Sequence, residues 1–321
     1  MLDPFGAPPP FLMKGIQPLA DSLGLSTFPL HIHEIIFACT FYAFFNAVIG
    51  PAISTRLFPN TYPHFSRRTK LSWDTHATSL LQCLSITALA LFVFSRDEER
   101  REMGLAGRIW GYSGAIGAVQ GLVEGYFCWD LIFCVLHYRD IGPGDLLHAI
   151  SVLIITSLGF RPFANYYGLN FILYEISNPF MNLHWFFDKV NMTGSWAQFY
   201  NGIVLLVSFF CCRILWGTYQ TVSISRDLWM TLTTNVDPRL LKGLPVPTVA
   251  MPTYTVETFA FPGTMTLPSW LVLIYLGGNT ALTFLNVYWF SLMVKALRKR
   301  FRPGKAVQQN GSLTKAGLAK E

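Results

Sequence analysis

Ionisable side chains inside long apolar segments are the residues of this sequence best suited to chemistry. Tyr126, Asp130 and His137 are spaced so that they share one face of a helix, which turns about 100° per residue. Charged groups inside a membrane are costly and normally face the interior of a helix bundle. The pattern predicts an acid and a tyrosine that line an internal cavity. The alternative is an aspartate paired structurally with a buried arginine, and an interfacial anchoring role suits His137.

Two further histidines lie about one helical turn inside apolar segments. His148 follows Asp145 at the start of one segment, and His76 precedes Ser79 near the start of another. A histidine can serve as a general base, a nucleophile or a proton relay, because its reference pKa is about 6.5. Each could equally be a histidine that packs against or hydrogen-bonds a neighbouring helix.

The segment from residue 174 to residue 182 combines an acid, two amides and a proline. Glu175, Asn178 and Asn182 share one helical face. Pro179 cannot donate a hydrogen bond to the Glu175 carbonyl, and its ring crowds that carbonyl, so a kink is predicted beside the acid. An unpaired carbonyl and a carboxylate at one bend form a polar notch that needs partners. The alternative is a packing kink with amide hydrogen bonds between helices.

A single arginine, Arg213, lies well inside a later apolar segment. Arginine at that depth needs an anion, and Glu175 and Asp130 are the candidates. If Arg213 neutralises one of these acids, the other is freer to bind a ligand or to act in catalysis.

Seven apolar segments carry these residues. Several approach the ~20 residues that a helix needs to cross a hydrocarbon core of about 30 Å. The sequence therefore predicts an all-α polytopic membrane protein with about seven transmembrane helices. The segments span about 30–50, 73–94, 114–137, 145–160, 163–187, 197–219 and 269–294.

The remaining stretches are expected to lie outside the membrane. Residues 1–29 are rich in proline and predict an irregular lead-in before a first transmembrane helix at 30–53. Residues 220–268 form one long connection or insertion, and residues 298–321 form a basic tail. The excess of lysine and arginine in this tail favours a cytosolic C-terminus.

Composition excludes several classes of protein. Hydrophobic residues make up 52% of the chain and charged residues only 13%, too few charges to cover a soluble core. A soluble enzyme, a disordered scaffold and a secreted cystine-rich module are excluded. The net charge of +6 suits anionic lipid beside the tail rather than nucleic acid. The six cysteines lie in apolar segments without zinc-site spacing, so neither a disulfide framework nor a metal site is expected.

Four short motifs occur in a characteristic order. They are Trp73-x-x-His76-x-x-Ser79, Gly125-Tyr126-x-x-x-Asp130, Arg139-Asp140 followed by Leu147-His148, and Glu175-Ile176-Ser177-Asn178-Pro179-Phe180-Met181-Asn182. The ordered set resembles the TLC-domain family, polytopic membrane proteins that include ceramide synthases, and the last motif resembles its non-ceramide-synthase branch. The resemblance covers about residues 66–219, or 66–297 if residues 220–268 are an insertion. It implies a six-helix bundle around a lipid-sized central cavity, with one extra helix before it.

The sequence departs from the ceramide synthase pattern at one position. Ceramide synthases carry two adjacent histidines on this helix, whereas here Leu147 precedes His148. Leucine cannot accept a proton or carry an acyl group, which puts acyl transfer by a histidine pair in doubt. Acyl transfer by one histidine remains chemically feasible, with His148 as base or acyl carrier and Asp130 orienting it.

The favoured hypothesis is therefore non-catalytic handling of a phospholipid or sphingolipid, by binding, sensing or local distribution. The polar residues expected to line the cavity are Glu175, Asn178, Asn182, Arg213, Tyr126 and His76. The alternative is a membrane acyltransferase with His148 and Asp130 as catalytic candidates and acyl-CoA as co-substrate; no cofactor is expected otherwise. A retinal protein is disfavoured, because Lys295 lies at the very end of the last segment. The resemblance implies the endoplasmic reticulum.

Overall fold

The computed structural model describes residues 3–161, 163–234, 267 and 269–300, with backbone only for residues 144, 234, 299 and 300. These residues form helices and connecting turns, without a strand among them. Most of the expected connection at 220–268 and of the basic tail at 298–321 lies outside the described residues. The α-helices of six residues or more are α1 Pro10–Leu23, α2 Phe28–Phe44, α3 Gly50–Leu57, α4 Arg67–Arg96, α5 Leu105–Trp110, α6 Gly114–Leu136, α7 Pro143–Leu158, α8 Asn165–Ile172, α9 Asn178–Lys189, α10 Trp196–Phe209, α11 Trp216–Thr234 and α12 Ser269–Arg300.

Five helical runs are long and apolar enough to cross a membrane. They are Phe28–Leu57, Arg67–Arg96, Leu105–Leu136, Trp196–Thr233 and Ser269–Arg298. The predicted fourth segment forms a shorter apolar helix over Asp145–Leu158. The prediction of an all-α polytopic membrane protein is confirmed for the described residues.

The N-terminal segment contains a helix that the sequence did not predict. Helix α1 begins with Pro10 in its first turn, where the missing N–H has no intrahelical acceptor to lose. It ends at Gly24, whose left-handed φ of 64° turns the following N–H, that of Leu25, back to the Ala20 carbonyl at 2.8 Å. Met13 and Ala20 are buried beneath it. The expectation of an irregular lead-in is therefore wrong for residues 10–23, because a proline is compatible with the first turn of a helix.

The predicted fifth segment is broken beside Glu175, as the proline predicts. Helix α8 ends at Ile172, a 3₁₀ turn spans Leu173–Ser177, and α9 starts at Asn178 with Pro179 in its first turn. A proline in the first turn needs no intrahelical acceptor for its absent N–H. The segment is therefore two short helices joined by a 3₁₀ turn, rather than one kinked span.

The predicted sixth segment is longer than expected. Helix α10 passes through a π-helical turn, Phe210–Leu215, into α11, which continues to Thr234. Polar residues after position 219 suggested a connection, but Ile224 and Leu228 are fully buried in a core cluster with Leu271 of α12. Polarity alone therefore misplaced this boundary by about four helical turns.

An ion pair accounts for the buried acid of α11. Asp227 is 5% exposed and accepts from Arg108 Nε at 2.5 Å and Nη2 at 3.0 Å. The Tyr167 hydroxyl donates to the same carboxylate at 2.6 Å. Asp227 thus joins α11 to α5 and α8.

The Asp227→Asn variant is expected to unfold at a lower temperature than the wild type. Removing one partner of a buried pair costs about 3–5 kcal/mol, and the lower end applies because Arg108 is 29% exposed. Thermal unfolding in a mild detergent measures the effect. Asp21→Asn, an exposed acid on α1, is the control; an equal shift in both variants would contradict this role of Asp227.

Candidate functional site

A tract of polar side chains crosses the interior of the bundle where α4, the broken segment and the π-helical turn meet. We call it the polar tract. Its members are His76, Ser79, Glu175, Ser177, Asn178, Asn182 and Arg213.

Arg213 and Glu175 are joined through an amide. Arg213 donates from Nε to Ser177 Oγ at 3.0 Å and from Nη2 to Asn178 Oδ1 at 2.9 Å. Asn178 then donates from Nδ2 to Glu175 Oε2 at 2.7 Å. Among the ion pairs of the described residues there is no direct Arg213–Glu175 contact. Of the two anions predicted for Arg213, the structure places Glu175 beside it, with Asn178 as the bridge.

The local backbone explains why these groups meet. A π-helical turn at residues 210–215 adds a residue to the helix and swings Arg213 towards the broken segment. The 3₁₀ turn and the start of α9 place Ser177 and Asn178 opposite it. The Arg213 guanidinium also lies over the Phe209 ring at 5.2 Å. Irregular backbone at membrane depth is tolerated where protein groups re-satisfy it.

His76 and Asn182 form the other end of the polar tract. His76 Nδ1 lies 2.8 Å from Asn182 Oδ1, and Asn182 Nδ2 donates to Ser79 Oγ at 3.1 Å. Because the amide oxygen only accepts, this arrangement has Nδ1 carrying the hydrogen. The His76 ring stacks on Trp185 with 4.1 Å between centroids. His76 thus makes the hydrogen-bonding and packing contacts of the structural alternative considered above.

Tyr126 borders the polar tract, and Asp130 lies beyond it. Tyr126 is buried, packs edge-on against Tyr42 at 5.2 Å, and adjoins Ser79. Its hydroxyl lies within electrostatic range of both Asp130 and Glu175. Asp130 makes no hydrogen bond to any described residue.

His148 stands apart from the hydrogen-bonded network. It is exposed and makes no hydrogen bond within the described part of the chain, although Asp145 and Arg213 lie within its electrostatic range. Helix α7 packs mainly on α6, and Gln120 and Glu124 tie it there through Thr156 and Ser157 in its last turn. The turn that carries His148 makes no side-chain hydrogen bond to α6 among the described residues. In particular, no hydrogen bond joins Asp130 to His148, although single-histidine acyl transfer expects Asp130 to orient His148.

The structure also assembles a buried cluster that the sequence reasoning missed. His31 and Glu34 of α2 meet Asp3 of the N-terminal segment, with one ligand-type atom of each within 4.8 Å of the others. Burial, and then the neighbouring Glu34 carboxylate, raise the pKa of Asp3 to about 7. The sequence signal was His31-x-His33-Glu34 at the start of the first apolar segment, but Asp3 stands in a stretch expected to be irregular.

The TLC-domain resemblance holds when the chain is compared with known proteins. The family model described as the TLC domain matches residues 72–295. An uncharacterized TLC domain-containing protein of Schizosaccharomyces pombe is 32% identical over 289 residues, 90% of this chain and 86% of the relative. Topoisomerase I damage affected protein 4 of Saccharomyces cerevisiae is 25% identical over 304 residues, 93% and 94% of the two chains. TLC domain-containing protein 4 of Homo sapiens is 27% identical over 173 residues, which cover 53% of this chain and 61% of the relative.

Proposed function

We propose that this chain, which belongs to the TLC-domain family, binds a phospholipid or sphingolipid through the polar tract and acts in membrane lipid homeostasis. The endoplasmic reticulum and a cytosolic C-terminus are part of the same proposal. The observation that carries it is the Arg213–Asn178–Glu175 network, which sits at the junction of two irregular turns inside apolar helices.

The network keeps unused hydrogen-bonding capacity. A guanidinium has five N–H donors, and Arg213 makes two hydrogen bonds to described residues. The remaining donors suit the phosphate or carbonyl oxygens of a lipid head group, which arginine can bind in a bidentate manner. Glu175 balances the charge of Arg213, which fits a head group with both donors and acceptors.

The α7 helix supports access from the side. Leu147, His148 and Ile150 in its N-terminal half are exposed, and the charge of Arg213 acts on His148. A lipid that enters beside this half-helix would have its acyl chains against exposed apolar side chains and its head group near Arg213.

Mass spectrometry of lipids that co-purify with the protein tests this function. Wild-type protein is expected to enrich one lipid class relative to the detergent extract. Glu175→Gln is expected to lower that enrichment about tenfold, since a hydrogen bond to a charged group contributes about 1.5–3 kcal/mol. Arg213→Lys, which keeps the charge and loses the planar donors, is expected to lower it as well.

The matched control is Glu124→Gln. Glu124 is a buried acid of α6 that accepts from Ser157 at 2.5 Å and belongs to no part of the polar tract. The control is expected to keep the lipid profile of wild type. The proposal fails if wild type shows no enrichment, or if Glu175→Gln and Arg213→Lys both keep the lipid profile of wild type.

Single-histidine acyl transfer is the second candidate, supported by the His148 imidazole, which is exposed and makes no hydrogen bond to a described residue. Purified protein is incubated with labelled acyl-CoA and a panel of long-chain base and lysophospholipid acceptors. A product that His148→Ala abolishes and His64→Ala leaves unchanged would support this function, because His64 is exposed in a connecting turn. If no acceptor gives a product, the acyl transfer hypothesis is contradicted and lipid binding remains as the proposed function.

A further inference from the structure

The cluster of Asp3, His31 and Glu34 is built from two separate parts of the chain and lies outside the polar tract. His31 is 1% exposed and Glu34 is 2% exposed. His31 Nδ1 lies 2.6 Å from Glu34 Oε2 and 3.5 Å from Asp3 Oδ2. One imidazole nitrogen therefore faces two carboxylates in a buried site.

Hydrogen bonds and ion pairs within the described residues leave this cluster incompletely satisfied. No lysine or arginine of the described residues forms an ion pair with Asp3 or Glu34. Within the part of the chain that the structure describes, the buried Glu34 Oε1 has no hydrogen-bond partner, and neither ring nitrogen of His33 has one. His33 Nε2 lies 3.9 Å from that oxygen. A buried carboxylate oxygen without a donor is rare and needs an explanation, and a bound ion is one that also accounts for the neighbouring imidazole and carboxylate.

Two contacts outside the cluster fix the orientation of the His31 ring and of the Asp3 carboxylate. The other ring nitrogen of His31, Nε2, contacts the Tyr112 hydroxyl. A second hydrogen bond of this kind normally fixes the ring orientation of a metal-binding histidine. Asp3 Oδ1 accepts from the Phe5 N–H at 2.8 Å, which leaves Oδ2 for the cluster.

The facing helix leaves room for the cluster because it presents glycine there. A Cβ at Gly121 of α6 would lie 2.9 Å from Glu34 Oε2, and one at Gly117 would overlap His31 Nε2. Side chains at these positions would displace His31 and Glu34 from their present places. The two glycines therefore leave the space that His31 and Glu34 occupy, and they also allow α2 and α6 to pack closely.

We propose that Asp3, His31 and Glu34 bind a divalent transition-metal cation of the Zn²⁺ type. One imidazole nitrogen and two carboxylate oxygens form a donor set that Zn²⁺ accepts, with a fourth position for water or for His33. The cation would neutralise the two buried carboxylates and would fix the N-terminal segment onto the α2–α6 pair. This site is independent of the polar tract and of the proposed lipid function.

Metal analysis of the full-length protein tests the proposal. The protein carries an affinity tag without histidine, is purified in detergent without chelator, and is analysed by inductively coupled plasma mass spectrometry. About one zinc per chain is expected for wild type, and at least about a fivefold loss for Glu34→Gln, which keeps the side-chain shape and removes one anionic ligand. Asp3→Asn lies outside the membrane spans and gives the same expected loss with a smaller risk to folding. Glu124→Gln is the control and is expected to keep the metal.

A second measurement separates a metal site from a hydrogen-bonded network in which the carboxyl groups share a proton. Protein stripped with chelator and dialysed is expected to unfold at a higher temperature after addition of Zn²⁺. Asp3→Asn is expected to lose this response. The proposal is overturned if wild type holds no stoichiometric metal and shows no Zn²⁺-dependent shift. It is equally overturned if Asp3→Asn and Glu34→Gln keep the metal content and the shift of wild type.

Discussion

Replacing Gly125 with alanine is expected to lower the stability of the protein by about 1–3 kcal/mol or more, the usual cost of overpacking. Gly125 lies on α6 against the backbone of α2. A Cβ there would overlap the Ile35 carbonyl oxygen and lie 2.6 Å from Ala38 Cβ. Because the nearest atom is backbone, no flexible side chain can move aside, and α2 would have to retreat from α6.

The expected effect spreads beyond one contact because the glycines of α6 act together. Gly117 and Gly121 face His31 and Glu34 of α2 in the same way. Small residues at such spacing let membrane helices approach closely, so that packing and weak polar contacts can hold them. A retreat of α2 at Gly125 would therefore loosen the whole face.

Thermal unfolding in detergent, with the yield of monodisperse protein, measures this effect. Gly277→Ala on α12 is the matched control, since a Cβ at Gly277 would meet nothing within 4 Å. Alanine is a better helix former than glycine by about 1 kcal/mol, so the control is expected to be neutral or stabilising. Equal stability of the two variants would show that α2 and α6 do not meet at Gly125.

The helical segments were predictable because the membrane imposes one strong rule. Backbone groups in hydrocarbon must be paired within the segment, so long apolar stretches become helices. The break beside Glu175 was predictable too, since Pro179 cannot take part in the hydrogen-bonding of a continuous helix. Both inferences need only neighbours in sequence.

Features that depend on neighbours in space were not predictable. The polar residues of α11 favour a connection until Arg108 and Tyr167 are known to satisfy Asp227. The sequence does not indicate why α6 carries its glycines, because the reason is the close approach of α2. No sequence pattern links Asp3 to the buried cluster, because its partners His31 and Glu34 lie on a helix that begins at Phe28.

The polar tract was partly predictable. The depth of Arg213 required an anion, and the sequence identified Glu175 as one of two candidates. The bridge through Asn178 required the π-helical turn, which no sequence pattern indicated. The roles of His148, Asp130 and the other site residues stay predictions, and the variants above address them.

Arg213→Gln is the second variant with a large expected effect. Removing one partner of a buried, directly paired charge costs about 3–5 kcal/mol, because the other charge is left uncompensated. Arg213 and Glu175 are partly buried and joined through Asn178, so the expected cost lies below that range. Here Glu175 would keep only its Asn178 contact, and Ser177 would lose its guanidinium donor. The variant is expected to unfold at a clearly lower temperature than wild type in the same detergent, whereas Arg226→Gln, an exposed arginine of α11, is expected to match wild type.

The double variant Glu175→Gln, Arg213→Gln tells whether charge compensation is the cause. With neither charge present, the uncompensated carboxylate is gone, and most of the lost stability is expected to return. If the double variant is as unstable as Arg213→Gln alone, the arginine acts through its contacts with Ser177 and Phe209 and not through charge. If the double variant regains stability but does not bind lipid, the two charges have two separate roles. They stabilise the fold by neutralising each other, and they bind the ligand through their remaining hydrogen-bonding groups.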